Sequence, residues 1–191
     1  MSFLTDEQLK AVGFASLGMN VLLSDRASIY GAEFIRIGNN VRIDDFCVIS
    51  AGSGGVDISN YVHVAVYTSL IGAGNITLEE FSNLSSRVSI YSSNDDYSGA
   101  MMTNPLVPSK YKDVKVASVK VGRHVIIGSG SVVLPGVSIE QGAAVGGLSL
   151  VSSDCSAFGI YGGVPAKRIG ERRKDLLEVE KVFQSEEKFR S

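Results

Sequence analysis

The sequence predicts an all-β protein, a solenoid of short strands wound into three-sided coils with a short capping helix at each end. Three observations predict it. From Ile37 to Val151 an aliphatic residue followed by small or turn-forming residues recurs every six positions. Val and Ile total 37 against 14 Leu, with 26 Ser and 21 Gly, which favours strands and turns over helices. Where the repeat gains extra residues they fall after Ile49, Leu70 and Ile90, each time at the end of a third hexad. A helix would place its apolar stripe at three and four, and a flat sheet would alternate at two, so a period of six means short strands broken by regular turns. With 191 residues and 45% hydrophobic content, the chain suffices for one domain with a core.

The elements follow in order. Residues 1–26 read as an N-terminal cap, in which Thr5 and Gln8 form a T-x-x-Q capping box before a helical stretch ending near Gly18. Coils occupy 27–94, with hexads such as IGNNVR from Ile37, ISNYVH from Ile58 and LSSRVS from Leu84. Each places its first residue inward and a second small or aliphatic residue four positions later, as at Val41, Cys47, Val62, Thr68, Val88 and Val125. Three hexads close one turn, so loops leave from a single corner of the prism. The one long break lies between Ile90 and Val121, giving a loop over 95–120. Such an excursion in an otherwise strict repeat marks a functional segment. Coils resume over 121–170. Residues 171–191 form a C-terminal helix, with Leu176, Val179 and Phe183 on one face as a packed cap.

Composition excludes several classes. With 18 basic against 20 acidic residues there is no positive excess to neutralise a phosphate backbone, which argues against nucleic-acid binding. The N-terminus lacks a basic segment followed by an apolar run, and nowhere do 18 apolar residues run together, so a soluble cytoplasmic chain is expected. Cys47 and Cys155 have no C-x-x-C spacing and read as buried thiols.

The stretch from Ile90 through VGRHVIIGSGSVVLPGVSI, AAVGGLSLVSSD and GIYGGVPAKRIGER resembles the hexapeptide-repeat acyltransferases. The likeness is to their sugar acetyltransferase branch, which acts on galactosides, surface-polysaccharide sugars and nucleotide-linked amino sugars. It covers about Ile37 to Arg172. The resemblance implies a left-handed parallel β-helix, acetyl-CoA as co-substrate with no metal, and a homotrimer with active sites between subunits. The metal-dependent carbonic anhydrases of the same fold need three histidines, and this chain has two.

The family places a histidine where this chain has Asp95, and a carboxylate, ordinarily titrating near 4, is a poor base for a sugar hydroxyl. His63 occupies a position where the galactoside-type enzymes contact the acceptor, and it is the candidate base. His124, in a turn of VGRHVI, reads as exposed and structural. In the hexad frame His63 and Asp95 sit at different corners, roughly 15 Å apart along one edge of the prism. The shared family site therefore implies that they meet across a subunit interface, the carboxylate orienting the imidazole. Asn94 and Asp96 would contact the acceptor, with Tyr67, Arg87 and Tyr91 shaping its pocket.

For the cofactor the resemblance implies main-chain contacts beside Ser129, Gly146 and Gly147, with Ser152, Lys167, Arg168 and Arg172 as polar and basic partners. The family often carries lysine where this chain has Ser153. A sugar hydroxyl is the first reading of the acceptor. The alternative, a nucleotide-linked amino sugar, is favoured by Asn94–Asp95 and the missing loop histidine. A non-catalytic scaffold would leave the loop and the G-x-P-A-K segment without a purpose.

Overall fold

The computed structural model describes residues 2–188. Every residue opening a hexad between Ile37 and Val151 is buried, and so are Val41, Cys47, Val62, Thr68, Val88 and Val125. Full burial of each such aliphatic side chain is worth about 1.5–3 kcal/mol, so a core one residue wide but many coils long supports the chain. Each hexad supplies one short strand, and equivalent strands of successive coils stack in parallel.

The first face stacks Ser16–Leu17, Ile35–Ile37, Val56–Ile58, Ile76–Leu78, Val119–Val121 and Ser138–Ile139. The second runs from Leu22–Leu23 through Arg42–Ile43, His63–Val64, Asn83–Leu84, Ile126–Ile127 and Ala144–Val145 to Gly159–Gly162. The third stacks Ser28–Tyr30, Val48–Ala51, Ser69–Gly72, Ser89–Tyr91, Val132–Val133 and Leu150–Val151. Register is set by the inward residues, which lie over one another: Ile37 on Ile58, Ile58 on Leu78 and Leu78 on Val121.

The faces meet at three corners. The third corner, from third face to first, carries every insertion, including residues 92–118, as the spacing of extra residues predicts. The other two corners are tight turns that need one left-handed residue. On the first corner Asn40, Tyr61, Phe81 and His124 take that conformation, with φ near +60°. On the second, Phe46, Tyr67, Arg87 and Leu148 do so. Bulky residues rarely adopt it, and here their side chains project outward and stack from coil to coil.

Both ends depart from the sequence expectation. The capping box forms: Thr5 Oγ1 accepts from the Gln8 amide at 3.3 Å and Gln8 Oε1 from the Thr5 amide at 2.9 Å. Helix α1, Asp6–Ala11, is nevertheless shorter than expected because Gly13, at φ +84°, turns the chain out of it. The coils therefore begin at Ser16 rather than 27, with Leu17 and Leu23 in register with Ile37 and Ile43. At the other end Lys167–Glu171 folds back antiparallel on Gly159–Gly162, and helix α2, Leu176–Lys188, starts later than 171. Residues 189–191 of the predicted helix lie outside the described residues. Cys47 and Cys155 are both buried, and burial pushes each thiol up to about 11.

Candidate active site

The long excursion leaves the third corner through a neck, where Ser93–Asn94 pairs antiparallel with Lys115–Val116. Immediately beyond the neck, Asp96 accepts the Ser98 amide at 2.8 Å and the Met101 amide at 2.9 Å. The Ser98 hydroxyl and the amides of Ser98, Met101 and Ala100 hold this carboxyl down to about 2. Asp96, expected to touch the acceptor, is thus occupied in shaping the loop. Asp95 lies between the neck and this turn, held from both sides, and its carboxylate makes no hydrogen bond or ion pair among the described residues. It borders a cleft of about 610 Å³ with Tyr91, Asn94 and Tyr97 on one side and Val132, Leu134 and Pro135 on the other.

His63 lies on the outer side of the second face. Its Nε2 is 2.9 Å from Asp44 Oδ2 and its Nδ1 is 3.2 Å from Asn83 Oδ1, so both ring nitrogens are engaged within the chain. Asp44 is only 5% exposed and also accepts from Arg42 Nε at 2.7 Å. Burial pushes its pKa up, and the hydrogen bonds and charges of His63 and Arg42 more than offset this, leaving it lowered. Within the chain, the carboxylate that holds the His63 ring is Asp44. Arg42, His63 and Asn83 recur at about one coil length on one face, a spacing that signals their stacking in the sequence.

His124 is structural, as expected, but not exposed. Its side chain is 12% accessible, stacked on Phe81 at 5.0 Å, with Nε2 2.6 Å from Glu180 Oε2 of α2. Arg123 pairs with the same carboxylate, and Phe183 packs edge-on against Tyr61 at 5.3 Å. Arg172 is likewise a structural pin: its Nη1 donates to the carbonyls of His124 at 2.7 Å and Gly142 at 3.1 Å, and burial lowers its pKa. Arg172, expected to meet the cofactor, therefore also ties the C-terminal segment to the coils through Nη1.

The remaining cofactor candidates stay on the surface. Arg168 pairs with Glu171, while Ser129, Gly146, Gly147, Ser152 and Lys167 are exposed. A Cβ on Gly128 would run into the backbone of Gly147, so that glycine is demanded by coil packing. A Cβ on Gly146 would meet nothing nearer than 3.4 Å, so the fold does not require its bareness. Ser129 and Gly146–Gly147 thus form an open trough along the second corner. Among the described residues no group of three or more His, Cys, Asp or Glu side chains is placed to hold a metal ion.

No family model matches the chain. It is 58% identical over 183 residues to an Escherichia coli dTDP-4-amino-4,6-dideoxy-D-glucose acyltransferase, covering 96% of this chain and 95% of that enzyme. This chain is a hexapeptide-repeat acyltransferase of the sugar-modifying branch. Its prism is the left-handed parallel β-helix of that superfamily. The acyltransferase also matches AntD, an N-acyltransferase from Bacillus cereus, at 44% identity. In AntD's complex with dTDP and 3-hydroxybutyryl-CoA, the match covers 98% of both chains with a TM-score of 0.94. A second AntD complex, an S-to-A variant holding dTDP-4-amino-4,6-dideoxyglucose and coenzyme A, gives 0.93 over 97% and 98%. A maltose O-acetyltransferase from Clostridium difficile, 18% identical with a TM-score of 0.58 over 88% of this chain and 75% of that one, shares the fold.

Proposed function

We propose that this acyltransferase moves an acyl group, acetyl in the simplest case, from coenzyme A to the amine of a nucleotide-linked amino sugar. This reverses the order reached from sequence, which put a sugar hydroxyl first. The observation that carries it is the unpaired Asp95 carboxylate at the cleft: an anion without a partner suits an ammonium or amine and does little for a hydroxyl. The relatives named for dTDP-amino sugars support the same reading.

The step is direct attack in a ternary complex. The neutral amine adds to the thioester carbonyl, the developing oxyanion is held by main-chain N–H groups at the trough, and the C–S bond then breaks. The thiolate leaves, and the nitrogen's surplus proton passes to it or to solvent through Asp95. An amine is nucleophilic once neutral, so no strong protein base is needed, and His63 is released from that role. Asn94, Tyr91 and the apolar floor from Val132 to Pro135 orient the sugar, while Lys167 and Ser152 meet the cofactor.

The site is completed in a trimer, because the trough lies on the second corner and Asp95 beyond the third. The outer surface supports this. The first face is polar and ion-paired, with Arg36–Asp57 at 3.2 Å and Lys120–Glu79 at 2.9 Å, whereas Phe46, Tyr67 and Leu148 leave apolar surface on the second corner. Thiol release from acetyl-CoA, measured with nucleotide-linked amino sugars and with hydroxyl-only glycosides, tests the chemistry. Turnover is expected with the amine panel, and turnover confined to the hydroxyl panel overturns it. Light scattering should give three times the chain mass.

A further inference from the structure

The two ends of the solenoid are finished differently. At the C-terminal end Lys167–Glu171 folds back antiparallel on Gly159–Gly162, and Lys167, Arg168 and Glu171 stand exposed on that last strand. Charges on an edge strand discourage a further strand, so this end is closed to stacking. At the N-terminal end Ser16–Leu17, Leu22–Leu23 and Ser28–Tyr30 are the outermost strands of the three faces. The segment before α1 covers only one of these edges: the Leu4 amide donates to the Leu23 carbonyl at 2.9 Å, and Phe3 bridges Ser24.

Beside that cover a groove of about 660 Å³ runs between α1 and the first coil. Its floor is apolar, with Leu9 and Val21 buried and Leu4 and Leu17 half-buried. Met19 stands on its rim, 73% exposed, with Leu22 also exposed nearby. The α1 side of the rim carries Asp6 and Lys10, one helical turn apart, both exposed and neither ion-paired among the described residues. Asn20 donates Nδ2 to Asn40 Oδ1 at 2.9 Å, the lowest rung of a ladder that stops at this end.

This surface is complementary to itself. A protruding, unbranched methionine stands beside an apolar groove that such a side chain can fill, and the rim carries one charge of each sign. A two-fold contact uses the same patch on both copies, so a residue i that meets j requires j to meet i. Met19 of each copy then enters the other's groove, while Asp6 of each faces the other's Lys10. A strongly charged partner would call for a rim of one sign, which this is not. We infer that the N-terminal ends of two copies of this chain dock on each other through this groove, each covering the other's first coil. Because a two-fold contact closes on itself, the pairing doubles the assembly and stops. It goes beyond the proposed function and leaves the trough, which belongs to the coils near the other end, uncovered.

Sedimentation velocity of the intact protein from about 1 to about 300 μM tests the contact, the range in which a small interface associates. The mass should double across it, starting from the dilute value, which is three chains for a trimer. Met19→Glu sets a charge in the apolar groove and should raise the midpoint concentration at least about tenfold, with the melting temperature unchanged because Met19 is exposed. Lys10→Glu alone and Asp6→Lys alone should each keep the dilute mass, since each opposes like charges across the two-fold. Mixed in equal amounts they should double again, because the acids of one then face the lysines of the other. Wild-type protein that keeps its dilute mass throughout overturns the inference. A doubling that Met19→Glu leaves in place, or one that the mixture of folded variants fails to restore, overturns it too. Thermal melts establish that each variant is folded, and Met19→Glu remains decisive should Asp6→Lys loosen α1. Thiol-release kcat per chain should match wild type in all three variants, so the pairing and the acyl-transfer reading stand or fall separately.

Discussion

The first and second corners are built alike, and the chain treats them differently. Both are columns of left-handed residues whose rings or guanidinium groups stack from coil to coil. On the first, α2 lays Phe183 across Tyr61 and Phe81, and Glu180 neutralises Arg123 and His124. On the second, Arg26 and Arg87 bracket the Phe46–Tyr67 stack, the rings keep exposed edges, and Arg87 has no carboxylate partner among the described residues. The difference teaches that stacking at the corners is a general device of this solenoid, and that function is read from what each stack is left to meet. Substitutions on the sealed side should cost stability and spare turnover, whereas those on the open side and its loop should do the reverse.

The sharpest break between the two sides is Asp95→Ala. If Asp95 handles the proton as proposed, its loss should lower kcat by about 10²–10⁴, the range for a positioned proton-handling group, with the melting temperature unchanged. Steady-state kinetics beside a thermal melt decides it, and a kcat within fivefold of wild type removes Asp95 from the reaction. On the sealed side, Phe81→Ala takes away a ring stacked between Tyr61 and His124 and should cost about 2–4 kcal/mol of stability in urea unfolding. Its kcat should stay within about twofold wherever the protein remains folded. A large kcat loss without unfolding would mean that the first corner also serves catalysis.

Much of this division was legible in the sequence, and the missing part has a physical cause. The hexad period placed the inward residues and the corner that carries the loop, because burial repeats strictly with the coil. The first coil escaped because Leu17 and Leu23 follow a capping box and a helical stretch that Gly13 in fact ends early. Side-chain partners across coils were harder to see. Asp44 lies 19 positions from His63, so only the coil length brings them together, and no local spacing marks it as the imidazole's partner. Arg172 reads as a free cation until three-dimensional neighbours show main-chain carbonyls around it. The amine reading rested in the sequence on Asn94–Asp95 and the missing loop histidine, and it gains weight from an Asp95 carboxylate without a partner among the described residues.

The acid response sharpens the comparison further. Burial raises the Glu180 pKa, but hydrogen bonds and charges from Arg123 and His124 lower it more, and its folded pKa lies below the ordinary value. A carboxyl lowered on folding contributes stability above its unfolded pKa and loses it as pH falls through the folded one. Glu180→Gln should therefore destabilise the protein by about 1–3 kcal/mol at pH 7, the scale of hydrogen bonds to a charged group. The gap to wild type should begin to narrow as pH drops below about 4.5, where unfolded Glu180 takes up a proton, and close below its lowered folded value. Urea midpoints for both proteins between pH 7 and pH 3 check the sign, and a gap that widens in acid contradicts the latch.

The smallest effect belongs to the far end of the open side. Lys167 is exposed and makes no ion pair among the described residues, so Lys167→Gln removes only one solvated charge beside the trough. Such a contact is worth roughly 1 kcal/mol or less in water, so the coenzyme A Kd should rise about three- to fivefold. Stability should not move, since no partner is left unsatisfied. The salt dependence is the finer reading: if Lys167 meets a phosphate, wild-type affinity should weaken from 50 to 300 mM salt and the variant's should weaken less. Equal salt slopes would leave Lys167 a bystander and confine cofactor recognition to the main chain of the trough, a surface no charge pattern in the sequence could have marked.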